Sequence, residues 1–108
     1  NTSIAANTYI LSRNEIRIGS DCAISWECQI MDTDFHEVIE NRNKVTENSS
    51  VIIGNHVLVC SKVTILKGVV IGDNAVIAAG SVVTKDVPAG CIAAGSPARV
   101  VRKNINWK

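Results

Sequence analysis

His36 is the side chain of this 108-residue chain best suited to proton transfer near neutral pH, because imidazole can accept a proton and return it within one turnover. It stands in the run Asp32-Thr33-Asp34-Phe35-His36-Glu37, where three carboxylates are close enough in sequence for one to orient the ring or raise its basicity. Without such positioning it would be an ordinary solvated loop histidine. A second chemical feature lies at the other end. Residues 88–108 contain no acid but carry Arg99, Arg102 and Lys103, a cationic end suited to phosphate groups. Any one of these cations taken alone would be plain solvated charge. No serine sits in a nucleophile elbow and no cysteine is phased beside His36, which disfavours a covalent enzyme intermediate.

Composition narrows the classes further. The formal net charge is +1, so no global field recruits nucleic acid or a membrane surface, and no apolar run approaches the length of a spanning helix. No signal peptide is visible, and a soluble, cytoplasmic protein is expected. The four cysteines form no CxxC pair. Cys22 and Cys28 are six residues apart, which is the spacing of the repeat described next, and they read as reduced packing residues. The only other histidine, His56, is expected to face solvent, and no metal site is assigned.

What must position His36 and the cations is a repeat. Through residues 53–88 an aliphatic residue returns every sixth position, at Ile53, Val59, Ile65, Ile71, Ile77 and Val83. Four residues after each comes Val57, Val63, Val69, Ala75, Ser81 or Val87, a second set of small or β-branched side chains. A period of six is neither helical nor that of a long strand. Each hexad reads as a short strand plus a corner that cannot bury its apolar residue alone, so successive hexads stack as a solenoid with three to a coil. Glycine at Gly54 and Gly72 suits a corner where a side chain would crowd the backbone. Aromatic residues make up only 4% of the chain, which agrees with a thin interior of aliphatic and small side chains.

The repeat begins at once. Ile4, Ile10 and Ile16 fall six apart and in phase precede Cys22 and Cys28 in the inner column, followed by Ile18, Ile24 and Ile30. An open first coil anticipates capping residues ahead of Asn1, as in the C-terminal part of a longer chain. After Ile30 the phase is lost until Ile53, and residues 36–52 read as a polar loop thrown outward, with His36 at its root. Ser61 and Ala79, one coil of eighteen residues apart, should stack on the outer wall in a column of small side chains. Trp26 also faces outward, as a subunit contact or an acceptor platform. Residues 89–108 read as a cap, with Ser96-Pro97 opening a short helix. The whole of 1–108 is one domain.

The phrases Ile71-Gly72-Asp73-Asn74-Ala75-Val76-Ile77-Ala78-Ala79-Gly80-Ser81-Val82-Val83-Thr84-Lys85-Asp86-Val87-Pro88 and Ala93-Ala94-Gly95-Ser96-Pro97-Ala98-Arg99 resemble the C-terminal signature of the hexapeptide-repeat acetyltransferases. The resemblance implies an all-β fold, a left-handed parallel β-helix with a loop extension and a short C-terminal helix. It implies acetyl-CoA (acetyl-coenzyme A) as acetyl donor, no metal, and a homotrimer with the coenzyme groove between subunits. It makes His36 the general base and matches Ser61, Ala79, Thr84, Lys85, Arg99 and Arg102 to the family's coenzyme contacts. Asp32-Thr33-Asp34-Phe35-His36 looks most like members that acetylate sugar hydroxyls of polysaccharides.

Two departures stand out. Relatives usually carry Trp-Ile-Gly where this chain has Leu58-Val59-Cys60, and the spacing from Ile30 to His36 is one residue longer than in galactoside and maltose acetyltransferases. Asn7 lies near, but does not align with, an acceptor-binding asparagine of those relatives, and it is not counted in the site. The γ-class carbonic anhydrases share the helix but need three histidines, against the two here. The leading expectation is therefore an O-acetyltransferase for a sugar hydroxyl. The alternatives are an acetyltransferase for serine or an amino sugar, and a non-catalytic β-solenoid assembly module, which would need neither His36 nor the basic end.

Overall fold

The computed structural model describes residues 1–44 and 49–108. The first coil consists of Ser3–Ile4 (β1), Tyr9–Leu11 (β2) and Ile16–Ile18 (β3). The second holds Ala23–Ile24 (β4) and Gln29–Met31 (β5), then an excursion with the antiparallel hairpin Ile39–Glu40 (β6) and Asn43–Lys44 (β7), and returns at Val51–Ile53 (β8). Leu58–Val59 (β9), Thr64–Ile65 (β10) and Val70–Ile71 (β11) form the third, and Val76–Ile77 (β12) and Val82–Val83 (β13) open the fourth. Ile92–Gly95 (β14) starts a fifth, and Ala98–Arg102 (β15) turns back along it. Three parallel walls result: β1-β4-β9-β12-β14, β2-β5-β10-β13 and β3-β8-β11. The fold is the left-handed parallel β-helix implied by the family resemblance, with the stacked three-hexad coils expected from the repeat. Part of the anticipated loop, residues 45–48, lies outside the described residues.

Strands of two or three residues have one clear inward position each, and stacking fills it with like on like. Ile24, Val59 and Ile77 align in one wall, Ile30, Ile65 and Val83 in the next, and Ile18, Ile53 and Ile71 in the third. From Ile24 onward these are buried, as are Cys22, Cys28, Val57, Val63, Val69 and Ala75 of the second set. Each such aliphatic side chain contributes roughly 1.5–3 kcal/mol by leaving water, comparable with what the few backbone bonds of one short strand net together. The four cysteines are free, and the Cys22 and Cys28 thiols point at the carbonyl oxygens of Gly54 and Cys60 one coil on.

One corner shows why glycine recurs. Asn55 Oδ1 accepts the Ser20 N–H at 2.9 Å, and Asp73 Oδ1 accepts the Asn55 N–H at 2.7 Å, so each coil tethers the one before it. A Cβ on Gly54 would collide with Asp73 Oδ1 and one on Gly72 with the backbone nitrogen of Ala89.

The structure corrects three expectations. Ile4 and Ile10 do not belong to the column of Cys22 and Cys28: they pair with Ile24 and Ile30, twenty residues on, because residues 12–15 enlarge the first coil by two. At that open end Ile4 and Ile10 are exposed rather than interior. Val87 pairs with Ile71, sixteen residues back, so it belongs to the aliphatic column and the fourth coil is two residues shorter than the repeat. The C-terminal helix is absent. Ser96-Pro97, joined by a cis peptide bond, forms the turn between β14 and β15, and Ala98–Arg102 is a strand. The last parallel strand offers a row of unpaired N–H and C=O groups, and the β-branched Val100 and Val101 favour pairing with it over a short helix.

Candidate active site

His36 lies where the chain leaves the second coil, and its surroundings are built from both sides. Asp32, fully buried, accepts the Ser12 hydroxyl at 2.7 Å and the amides of Arg13 and Asn14 at 2.8 and 2.9 Å. Burial opposes charge on this carboxyl, yet the Ser12 hydroxyl and the Arg13, Asn14 and Glu15 amides outweigh it and hold the group below the usual carboxylate range. Asp34 Oδ2 pairs with Lys67 Nζ at 2.7 Å. Asp32 and Asp34 thus serve the scaffold through Ser12, the Arg13 and Asn14 amides and Lys67. Phe35, with φ at 62°, has its N–H bound by Thr33 Oγ1 at 3.0 Å, and His36 follows it into the exposed loop.

Ser61 and Ala79 stack as their spacing predicts. Gly80 donates its N–H to the Ser61 carbonyl at 2.9 Å, and Lys62 donates to Trp26 at 3.0 Å, so Trp26, Ser61, Ala79 and Gly95 follow one another down a single corner. A Cβ at Gly80 would meet nothing within 4 Å, which leaves the flank of this column open.

Arg99 and Arg102 sit on β15, opposite Ala94 and Ile92. Plain alternation would send residues three apart to opposite faces. A register shift between Ile92 and Ala93 absorbs one residue, so both arginines share the outer face with Ala94 and Ile92 while Ala93 points inward. Their partners are two residues apart, which spaces the pair by about 7 Å. Arg99 ends up beside the foot of the Ser61 and Ala79 column. Thr84 and Lys85 follow β13 at the opposite edge of the second wall, the same edge as Lys67 and the root of the His36 loop. Within one chain, then, Ser61, Ala79 and Arg99 gather at one edge, while His36, Thr84 and Lys85 gather at the other.

Residues 50–85 match the family model described as bacterial transferase hexapeptide, six repeats. A polysialic acid O-acetyltransferase of Escherichia coli is 37% identical over 109 residues, covering 98% of this chain and 36% of that protein. The crystal structure of the polysialic-acid-specific acetyltransferase NeuO superimposes with a TM-score of 0.97 at 35% identity, over 99% of this chain and 51% of its own. The chain belongs to the hexapeptide-repeat acetyltransferase family. A further family member, from Vibrio cholerae and complexed with acetyl-CoA, superimposes with a TM-score of 0.83 at 30% identity, over 94% of this chain and 56% of its own. The chain spans about half the length of NeuO and about a third of the E. coli relative.

Against the family's pattern, Cys60 stands where glycine is usual. It is half-buried, and burial, reinforced by Cys28, pushes its thiol above the usual range, which makes thiolate scarce. His56, expected in solvent, is instead half-covered: its Nδ1 lies 2.9 Å from Asn74 Oδ1, and Trp107 is stacked on it. Arg13 was not singled out by sequence. Its guanidinium stands 5.0 Å over the Phe35 ring, beside the catalytic candidate. The signal that could have found it is the twenty-residue step from Ile10 to Ile30, two residues more than a regular coil.

Proposed function

We propose that the protein transfers an acetyl group from acetyl-CoA to a hydroxyl of a saccharide, in polysaccharide modification, with His36 as general base. One arrangement carries this: the stacked Ser61 and Ala79, with open space at Gly80, lead down to Arg99 and the outer-face Arg102. A groove walled by small residues fits a narrow flexible arm, and the paired guanidinium groups fit its phosphates. Thr84 and Lys85 supply a further hydroxyl and cation. The acetyl-CoA bound by the Vibrio relative and the acceptor named for the E. coli relative support the same pair of substrates.

In this mechanism His36 takes the proton of the acceptor hydroxyl as its oxygen bonds to the acetyl carbonyl carbon. The carbon–sulfur bond breaks, and the imidazolium returns the proton to the departing thiolate. Backbone N–H groups along a coil edge stabilise negative charge on the carbonyl oxygen. The raised pKa of Cys60 supports direct transfer over an acyl-cysteine. The active unit is a homotrimer in the cytoplasm, where acetyl-CoA is made. Its motive is the division of the site residues between two edges of one wall, which a neighbouring subunit would reunite, together with the exposure of Trp26 at 59%.

Labelled acetyl-CoA, offered with neutral and acidic oligosaccharides, serine and amino sugars, tests the proposal. Label is expected in a base-labile ester on a saccharide. Label on serine or on an amino nitrogen would reassign the acceptor, and transfer to none of them by coenzyme-binding protein would overturn the enzyme.

A further inference from the structure

The chain ends in a two-point clamp on one corner of the helix. Asp21, His56, Asn74 and Gly90 stack there coil on coil, each in the left-handed region with φ between 53° and 65°. Ile105 donates its N–H to Gly90 O at 2.9 Å, and two residues later Trp107 reaches His56. The indole covers the imidazole, with ring centroids 4.0 Å apart, and its Nε1–H meets the carbonyl oxygen of the same residue at 2.7 Å. Asn74 Oδ1, 2.9 Å from His56 Nδ1, fixes the ring beneath the indole.

What the clamp holds is the end of β15. That strand is tied to β14 by the turn at residues 96–97, and at its other end it runs through Lys103 and Asn104 straight into Ile105. Little else secures its last residues: Val100 and Val101 are 39% and 58% exposed, and β15 has a neighbouring strand on one side only. The register shift between Ile92 and Ala93 falls in this same stretch, between the partners of Arg102 and Val100. A one-residue slip of a strand sends its side chains to the opposite face. Relaxing the shift would therefore restore plain alternation and turn Arg102 away from Arg99. Arg102 is exposed and has no ion pair among the described residues, so it does not hold its own place.

We infer that Trp107, seated on His56, locks β15 in its shifted register and so presents Arg102, beside Arg99, to a phosphate of the coenzyme. This rests on the proposed use of acetyl-CoA and adds to it two positioning residues, neither of which touches the coenzyme. The gain is preorganisation: a guanidinium already on the right face loses less freedom on binding than one that must be recruited to it.

Calorimetry with coenzyme A on the whole protein, run as a double-variant cycle, tests the inference. Trp107→Ala should weaken binding by about two- to tenfold, the scale of ordering one long side chain, and by no more than Arg102→Ala does. In an Arg102→Ala background the same change should have no further effect. Trp107→Phe, which keeps a ring over His56 and loses the Nε1–H bond, should fall between, and it carries the cycle if the alanine variant does not fold. Hydrogen exchange over residues 99–102, measured without coenzyme, should speed up in Trp107→Ala. Wild-type affinity in Trp107→Ala or in Arg102→Ala, a full loss that persists without Arg102, or unchanged exchange over 99–102 would each overturn the inference. Coenzyme binding with unchanged exchange would overturn it alone and leave the acetyltransferase standing. Failure of the wild type to bind coenzyme A would overturn the proposed function, and the phosphate contact of Arg102 with it, even where exchange shows that the clamp holds β15.

Discussion

Trp107 lies flat on His56, with ring centroids 4.0 Å apart and planes 7° from parallel, and donates its Nε1–H to the His56 carbonyl at 2.7 Å. Ile105 donates to Gly90 O at 2.9 Å, so the last residues run back along a corner of the helix and cover it. Removing the indole by Trp107→Ala should lose a stacked pair and a hydrogen bond, about 1–3 kcal/mol together. A urea midpoint will register the loss, and amide exchange at Ile105 should become fast. Continued protection of that amide in the variant would show that the indole does not anchor the tail.

Asp32 is the charged group whose folding linkage is clearest. Its carboxyl is held below the usual range in the fold, so it stabilises the folded state above its unfolded pKa of about 3.9 and loses that contribution as pH falls through the lower folded value. Asp32→Asn should cost roughly 1–3 kcal/mol at neutral pH, because one amide hydrogen would face donors it cannot satisfy. The gap between wild type and variant should close below about pH 4 in denaturant titrations. A gap of constant size down to pH 2 would mean that the ionised form is not what the turn recognises.

His36→Ala should lower kcat by roughly a hundredfold or more while leaving coenzyme binding nearly intact, since positioned general bases typically contribute 10²–10⁴. Steady-state rates with the true acceptor, beside calorimetry with coenzyme A, separate the two effects. Retention of most of the turnover would remove His36 from the base role.

Arg99→Ala combined with Arg102→Ala should weaken coenzyme A much more than dephospho-coenzyme A if at least one guanidinium addresses the 3′-phosphate, as proposed. Equal losses in calorimetry would reject that contact. The proposed sharing of the site between subunits adds a second readout. Mixing this double variant with His36→Ala should restore part of the activity if subunits exchange within a trimer. A fully active monomer by light scattering would rule out the assembly, and a trimer without restored activity would keep the assembly but make each site the property of one chain.

The repeat was legible in the sequence because each hexad states its fold locally: one inward residue, one small residue, one corner. Ile53, Val59, Ile65, Ile71 and Ile77 could therefore be assigned to an interior column, and Ser61 could be stacked on Ala79, by counting alone. His36 as loop root was legible for the same reason, since the phase breaks there and resumes at Ile53. Counting fails where coils change length. Nothing in a period of six says that Ile10 lies on Ile30, because the two extra residues are held by a carboxylate in the following coil. The C-terminal strand was likewise hidden: Ser96-Pro97 is a valid local helix start, and only the unpaired edge of β14 decides against it. The tertiary structure alone decided the bulge that turns Arg99 and Arg102 to one face, the cover of Trp107 on His56, and the seat of Arg13 on Phe35. Each joins residues through backbone register or side-chain contact between separate stretches of chain, and short-range spacing carries no information about such partners.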